Sequence, residues 1–369
     1  MKVAVFVGTR PEIIKMQPII KEIEEKHNLI FIQTGQHYDF VMSGIFINEL
    51  KLNTPDYTFN VKATTQASQT ANIIKKSETI LRKEKPDIVL VEGDTNSALG
   101  VAVASVKLGV PVGHVEAGCR SFDKTMPEEI NRILISDVAS LHFSPTPNCS
   151  QNLLREGIMP AHIFLTGHPI VDLLANIAKR LSRINLSKLV ASDVDYALVT
   201  MHRRENIENQ DRITEILDAL NRLARNISII FPCHPHTKLQ ITKFGLANHL
   251  KNLRVIDPVG YIDSLNLIKY AKFVLTDSGG VQQEAAILKT PCITLRERTE
   301  WVETINLGLN FLAGYNVKSI IKTVMHVEKN YNKIVTAFDT SKNIFGKIGV
   351  SKRILGIIES DGRLNINHG

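Results

Sequence analysis

The sequence predicts an α/β protein of two Rossmann-like domains in tandem, and three observations carry that prediction. Short β-rich runs alternate with helical stretches from end to end, the pattern of parallel strands covered by helices on both faces. The alternation starts afresh at Tyr196, after a helical stretch and a polar segment. The chain has 369 residues, more than one hydrophobic core usually holds, so two domains of ordinary size are expected.

In the first half the predicted strands are Val3 to Val7, Leu29 to Gln33, Asp87 to Val91, Val112 to Val115, Leu141 to Phe143 and Ile163 to Leu165, with helical patterns in the gaps. A helical stretch from Pro169 to Arg183 and a polar segment to Asp195 separate the halves, which places the domain boundary near residue 168. The second half runs Ala197 to Thr200, Ser228 to Phe231, Arg254 to Ile256, Phe273 to Leu275, Cys292 to Leu295 and Asn310 to Leu312. The expected domains are therefore 1–168 and 169–349, with a last helix, about 350–369, packing back on the first. Two such domains face each other across a central cleft at the carboxyl ends of their sheets, so functional residues are expected in the loops that follow strands.

Composition excludes several classes. Hydrophobic residues are 44% and charged residues 22%, values of an ordinary folded protein. The net charge of +7 arises largely between Lys318 and Arg353, where eight basic residues face Glu328 and Asp339; with few aromatics nearby to stack bases, this reads as a solvated surface, and no nucleic-acid partner is expected. The apolar start, Val3 to Val7, meets Gly8-Thr9-Arg10-Pro11 too soon for a signal peptide, and no run is long enough to span a membrane. Four cysteines, Cys119, Cys149, Cys233 and Cys292, lie far apart in sequence, which fits a reducing cytoplasm.

The strand-end loops hold the residues able to do chemistry. Gly8-Thr9-Arg10-Pro11-Glu12 opens a helix carrying Lys15, and Arg10 with Lys15 beside a helix N-terminus suits an anion; a capped helix with two solvated cations is the structural alternative. Gln36-His37 follows the second strand and is a weak signal alone. Glu92-Gly93-Asp94-Thr95 puts two carboxylates and a hydroxyl at one strand tip, where Asp94 or Thr95 could equally cap the next helix. His114 and Glu116, two apart at a strand end, are expected on one face. Thr125-Met126-Pro127-Glu128 fits a capping box, so Glu128 is either a reciprocal cap or an acid.

In the second half, His202 beside Arg203 and Arg204 can act as acid, base or phosphate partner. Cys233-His234-Pro235-His236 has no third and fourth ligand at zinc spacing, so no metal is expected. Thr276-Asp277-Ser278-Gly279-Gly280 runs from a strand into a helix, where free N–H groups suit a pyrophosphate, and Glu284 on that helix can accept from ribose hydroxyls. A glycine turn that merely packs helix on strand is the alternative.

Taken in order, Gly8-Thr9-Arg10-Pro11-Glu12 with Lys15, Gln36-His37, Gly93-Asp94-Thr95, His114-Val115-Glu116-Ala117-Gly118 with Arg120, Pro127-Glu128-Glu129-Ile130-Asn131-Arg132, His202-Arg203-Arg204-Glu205 and Thr276-Asp277-Ser278-Gly279-Gly280 resemble the non-hydrolysing UDP-N-acetylglucosamine 2-epimerase family over nearly the whole chain. The resemblance implies the two-domain glycosyltransferase-B type fold. It also implies inversion at carbon 2 of a UDP-sugar through elimination of UDP to a glycal and re-addition, without a cofactor. Asp94, Glu116 and Glu128 would be the acid/base carboxylates and His202 a further catalytic or phosphate-side group. Arg10, Lys15, His37 and Arg204 would contact substrate, with Ser278, Gly279, Gly280 and Glu284 holding UDP. A cytoplasmic homodimer is the implied assembly.

The sequence departs from the family pattern at Trp301, where arginine is expected within Thr299-Glu300-Trp301-Val302-Glu303, at Ser264 and at Gln283. These departures leave open an epimerase of a modified UDP-sugar such as a diacetamido uronic acid, and a UDP-sugar transferase of the same fold as a second alternative. The carboxylate set Asp94, Glu116 and Glu128 speaks against the transferase, which needs no group of acids around carbon 2.

Overall fold

Val3, Ala4, Val5, Phe6 and Val7 are all buried although they are consecutive, which is what a strand covered on both faces requires. The computed structural model describes residues 1–35, 47–59, 61, 65–182, 195–341 and 344–361. The chain divides into two units, Met1–Asn176 with Phe345–Gly369, and Ile177–Ile344.

The first unit carries strands β1 (Lys2–Val7), β2 (Asn28–Gln33), β3 (Tyr57–Thr58), β4 (Ile88–Glu92), β5 (Val112–Val115), β6 (Leu141–Ser144) and β7 (Ile163–Leu165). They form one parallel sheet in the order β3-β2-β1-β4-β5-β6-β7. The second unit carries β8 (Tyr196–Thr200), β9 (Ser228–Pro232), β10 (Arg254–Ile256), β11 (Phe273–Thr276), β12 (Cys292–Thr294) and β13 (Asn310–Leu312), parallel in the order β10-β9-β8-β11-β12-β13. Each sheet reverses its direction of winding at its first strand, so the loops after β1 and β4 diverge in one unit and those after β8 and β11 in the other. Such switch points are where open α/β sheets leave room for a ligand. The predicted strands match to within about a residue at most ends; β3, two residues long, carried no pattern in the sequence.

The helices follow local chemistry. Arg10–Lys26 has Pro11 in its first turn and buries Ile13, Met16, Ile19, Ile20 and Ile23 at helical spacing. Thr95, Thr146 and Ser278 cap Asn96–Lys107, Pro147–Arg155 and Gly279–Leu288 by accepting the N–H groups of Ala98, Cys149 and Val281. One core of the first unit gathers Phe6, Ile32, Val89, Val91, Val101 and Ile135; that of the second gathers Leu217, Phe231, Phe273, Ile293 and Val324. Cys119 and Cys149, distant in sequence, bring their thiols to 3.3 Å in the first unit.

The last helix, Val350–Ser360, packs on Arg10–Lys26 in the first unit. Its N-terminus begins at Gly349 and has no cap of its own. Asp172, buried on Ile170–Ile177, supplies one: Oδ1 accepts from Gly349 N at 2.6 Å and Val350 N at 3.3 Å, and Oδ2 from Ser351 N at 2.8 Å. A carboxylate at a helix N-terminus satisfies otherwise orphaned donors and meets the positive end of the helix dipole. Asp172→Ala should therefore lower the unfolding free energy by about 2 kcal/mol, read as a lower denaturation midpoint, with Asp172→Asn intermediate. An unchanged midpoint would show that this helix docks without its borrowed cap.

Candidate active site

In the first unit three strand ends and one helix converge. Gly8, after β1, lies so near the next element that an added Cβ would sit 2.0 Å from Ser97 Oγ, so only glycine lets the loop pass. Gly8 N donates to Glu12 Oε2 at 2.9 Å, and Thr95 Oγ1 donates to Glu12 Oε1 at 2.9 Å. Glu12 thus ties the loop after β1 to the loop after β4. One turn on, Lys15 Nζ donates to Glu92 Oε1 at 2.9 Å and to Glu116 Oε2 at 2.5 Å. Glu92 is the last residue of β4 and Glu116 the first after β5.

Glu116 departs from the sequence expectation. β5 ends at Val115, and Glu116 has φ +66°, a left-handed conformation unusual for a residue with a side chain. Strand alternation therefore does not extend to it. His114 stays in the core with Nε2 on Gly93 O at 2.8 Å, while Glu116 turns to Lys15 and to His168, whose Nε2 stands 2.6 Å from Glu116 Oε2. His168 was not among the expected site residues, since nothing in Thr166-Gly167-His168-Pro169 shows that its ring lies beside Glu116.

Asp94 follows Gly93, which turns at φ +70°. Its carboxylate pairs with Arg132, and Asn131 Nδ2 donates to Asp94 O at 2.9 Å, so helix Pro127–Val138 holds this loop. Arg132 also bonds Glu129 Oε2 at 2.8 Å. The expected capping box does not form. Met126 occupies the cap position, Thr125 bonds Asp123 Oδ1 instead, and it is Glu129 that reaches back, to Ser121 N and Phe122 N at 2.9 Å each. Proline at the first helical position moved the start by one residue, and Glu128 is left half-buried without that structural duty.

Burial and neighbours set these acids apart. Burial alone would raise Glu116, but Lys15 and His168 outweigh it and hold the carboxyl well below its usual range. Burial raises Glu92 well above its usual range despite Lys15. Burial also raises Asp94 against the pull of Arg132, with Glu116 and Glu128 adding to the rise. Desolvation would lower Lys15, but Glu116 and Glu92 keep it above its ordinary value. His168 is lowered, first by burial. Side-chain donors of Glu92, Glu116 and His168 lie within 4.8 Å of one another, a spacing that a metal ion could use. Lys15 Nζ already bonds both carboxylates, so the protein supplies this trio with its own cation.

In the second unit Asp277, fully buried after β11, accepts from His202 N at 3.1 Å, Arg203 N at 3.0 Å and Asn206 Nδ2 at 3.2 Å. It pins the loop after β8. The His202 ring is half exposed with Nδ1 3.6 Å from Asp277 Oδ1, and the Arg204 side chain is largely exposed. Ser278 caps the helix that opens with Gly279 and Gly280, whose N–H groups at the first turn have no intrahelical acceptor. Glu284 lies buried on that helix. Trp301, also buried, places its indole Nε1 3.4 Å from where a Cβ on Gly279 would stand. Arg296 grips Glu300 at 2.9 and 3.0 Å, both buried. Arg10 opens the helix that bears Lys15. His37 lies outside the described residues.

Comparison with known proteins points to one family. The family model described as UDP-N-acetylglucosamine 2-epimerase matches residues 21–359. A UDP-N-acetylglucosamine 2-epimerase of Methanocaldococcus jannaschii is 43% identical over 97% of this chain and 99% of its own length. A UDP-2,3-diacetamido-2,3-dideoxy-D-glucuronate 2-epimerase of Pseudomonas aeruginosa is 42% identical over 85% of this chain and 88% of its own. The crystal structure of the M. jannaschii UDP-GlcNAc 2-epimerase with UDP-GlcNAc and UDP superposes with a TM-score of 0.88 at 42% identity, covering 98% of this chain and 100% of that one.

Glu12 makes the site's pH signature. Burial pushes its carboxyl from 4.5 up to about 7, against hydrogen bonds from Thr9, Thr95 and Gly8 that lower it. A carboxyl with higher proton affinity when folded binds more protons in the folded state between those values. Its contribution to stability is therefore complete below pH 4.5 and is lost as pH rises through 7. Glu12→Gln should flatten the decline in unfolding free energy over that interval by about 3 kcal/mol, measured by urea denaturation at a series of pH values. Parallel curves for the two proteins would show that Glu12 ionises as readily folded as unfolded.

Proposed function

The chain belongs to the UDP-N-acetylglucosamine 2-epimerase family, and from that premise we propose that it interconverts UDP-N-acetylglucosamine and UDP-N-acetylmannosamine. The C2–H bond and the C1–O bond to UDP break, the C2–H electron pair forms the C1=C2 bond of a 2-acetamidoglucal, and UDP leaves with the C1–O pair. Return of a proton to the other face of carbon 2 and re-addition of UDP complete the inversion.

The observation that carries this proposal is the opposite tuning of Glu116 and Asp94 at the ends of β5 and β4. Inversion at carbon needs one group ready to accept a proton and another ready to give one. Glu116, held ionised by Lys15 and His168, takes the proton; Asp94, whose proton affinity is raised, delivers one to the opposite face, and the two exchange roles in the reverse direction. Glu128 adds negative charge beside Asp94 and supports its protonated form. Lys15 acts through Glu116 rather than on phosphate.

The second unit serves UDP in this proposal. The free N–H groups of Gly279 and Gly280 and the Ser278 cap receive the pyrophosphate, Glu284 takes the ribose, and His202, Arg10 and Arg204 balance the charge of the departing diphosphate. His37 is assigned to the substrate on the family resemblance. The first unit, with its carboxylates, serves the sugar. No helix among the described residues is long and apolar enough to cross a membrane, and we place the enzyme in the cytoplasm with its nucleotide-sugar. The exposed apolar residues Phe122, Ile130 and Leu134 support a homodimer, which light scattering tests.

A second substrate, a UDP-linked diacetamido uronic acid, is favoured by the relative of that specificity at 42% identity, level with the N-acetylglucosamine enzyme at 43%. Proton NMR of the protein with UDP-N-acetylglucosamine in heavy water separates the two. Loss of the C2 proton signal with appearance of the manno epimer establishes the first. Absence of exchange with this sugar, and exchange with the diacetamido uronic acid, establishes the second.

Asp94→Asn and Glu116→Gln should each slow exchange by about 10²–10⁴-fold while leaving UDP affinity within a few-fold, since proton transfer and nucleotide binding are separable. Ordinary turnover in either variant would remove that residue from the chemistry. Ser278→Ala and Glu284→Ala should instead weaken UDP binding about tenfold by calorimetry; unchanged affinity in both would displace the nucleotide from this helix.

A further inference from the structure

The Glu116 carboxylate owes one of its two hydrogen bonds to a histidine whose protonation pattern the backbone dictates. His168 is wholly buried, and its Nδ1 accepts the N–H of Ile170 at 3.1 Å. A nitrogen that accepts carries no proton, so the neutral ring holds its hydrogen on Nε2, the atom 2.6 Å from Glu116 Oε2. The ring is therefore a donor to Glu116, and it cannot relay a proton through Nδ1.

The ring is also fixed in place. His168 N donates to Phe345 O at 2.7 Å, and the imidazole stands edge-on to the Phe345 ring at 6.3 Å between centroids. The two chain segments cross at glycines: Gly167 has φ +89°, Gly346 has φ +92°, and a Cβ on Gly346 would lie 2.7 Å from Gly167 Cα. Both donors to Glu116, Lys15 and His168, fall on Oε2. Glu116 itself sits in a left-handed backbone conformation that local preference does not favour. Its other electrostatic neighbours are Glu92, Asp94, His114 and Cys119.

We propose that His168 is a positioning residue of the reaction: its Nε2–H, aimed by the Ile170 amide, clamps Oε2 of Glu116 and leaves Oε1 as the oxygen that meets the C2 proton. This assignment rests on the epimerase function proposed above. It makes the Phe345 crossing, far along the chain, part of the support of the site.

Two substitutions divide the histidine's duties. His168→Asn keeps an acceptor where Nδ1 was, for Ile170 N, but its amide falls short of Glu116. His168→Gln reaches Glu116 with its amide N–H and gives up the acceptor for Ile170. With the sugar substrate turned over by the wild type, His168→Asn should lower kcat on the order of 10²-fold with KM within a few-fold. It should also move the acidic limb of the pH–rate profile upward, because Glu116 has lost a donor. His168→Gln should restore both toward wild type. Equal losses in the two variants, or an unaltered profile in His168→Asn, would overturn the proposal.

A readout without substrate separates this from the function itself. Titration of the Glu116 carboxyl carbon by NMR in glutamate-labelled protein, assigned with Glu116→Gln, should give a higher midpoint in His168→Asn than in wild type and a recovered one in His168→Gln. No shift in His168→Asn refutes the clamp whatever sugar is used. A shift together with a wild type that exchanges no UDP-sugar upholds the clamp and sinks the epimerase reading.

Discussion

A single, largely buried ammonium organises the first unit. Lys15 bridges Glu92 on β4 and Glu116 after β5, so the helix that follows β1 is tied to the two neighbouring strand ends through one cation. Burying charge costs on the order of several kcal/mol per ion unless partners compensate, and one ammonium cannot fully neutralise two carboxylates. The excess is resolved by unequal sharing. Glu116, with His168 as a second donor, stays ionised, and Glu92, without one, is pushed toward its neutral form. The chemistry assigned to Glu116 depends on that inequality.

The loops reach this arrangement because glycine removes obstacles at particular points. Gly8 admits Ser97, Gly118 approaches Cys149 O so closely that a Cβ would lie 2.2 Å away, and Gly167 and Gly346 let two segments cross. Glu116 takes a positive φ although it carries a side chain, as Phe122 nearby also does. Such a backbone conformation persists only where the surrounding packing holds it.

The second unit solves a different problem. There the buried carboxylate of Asp277 is spent on backbone N–H groups of the loop after β8, while the His202 ring stays half exposed and the largely exposed Arg204 lies beside Glu208. The first unit thus sets proton affinities by crowding charges around Lys15; the second commits a buried carboxylate to the backbone of a loop. Trp301 and Glu300, the latter paired with buried Arg296, stand near Gly279, and Trp301 holds the position where the family pattern has arginine.

The sequence by itself determined the two parallel sheets, because runs such as Val3 to Val7 and Phe273 to Leu275 are apolar throughout and short, a pattern that only doubly covered strands explain. It also placed Asp94, Glu116, His202 and Ser278 at strand ends, since Gly, Thr and Ser interrupt those runs with turn and cap chemistry. The tertiary structure alone decided their partners. His168 lies 52 residues from Glu116, Arg132 lies 38 from Asp94, and Asp172 lies 177 from the helix end it caps; no local propensity encodes such pairs. Whether an acid is a cap, a base or a proton donor depends on desolvation and on the partner that reaches it, and both arise only when distant segments pack together. Glu128 and Glu129 make the point side by side: adjacent and chemically alike, they were parted by a one-residue shift in where a helix begins.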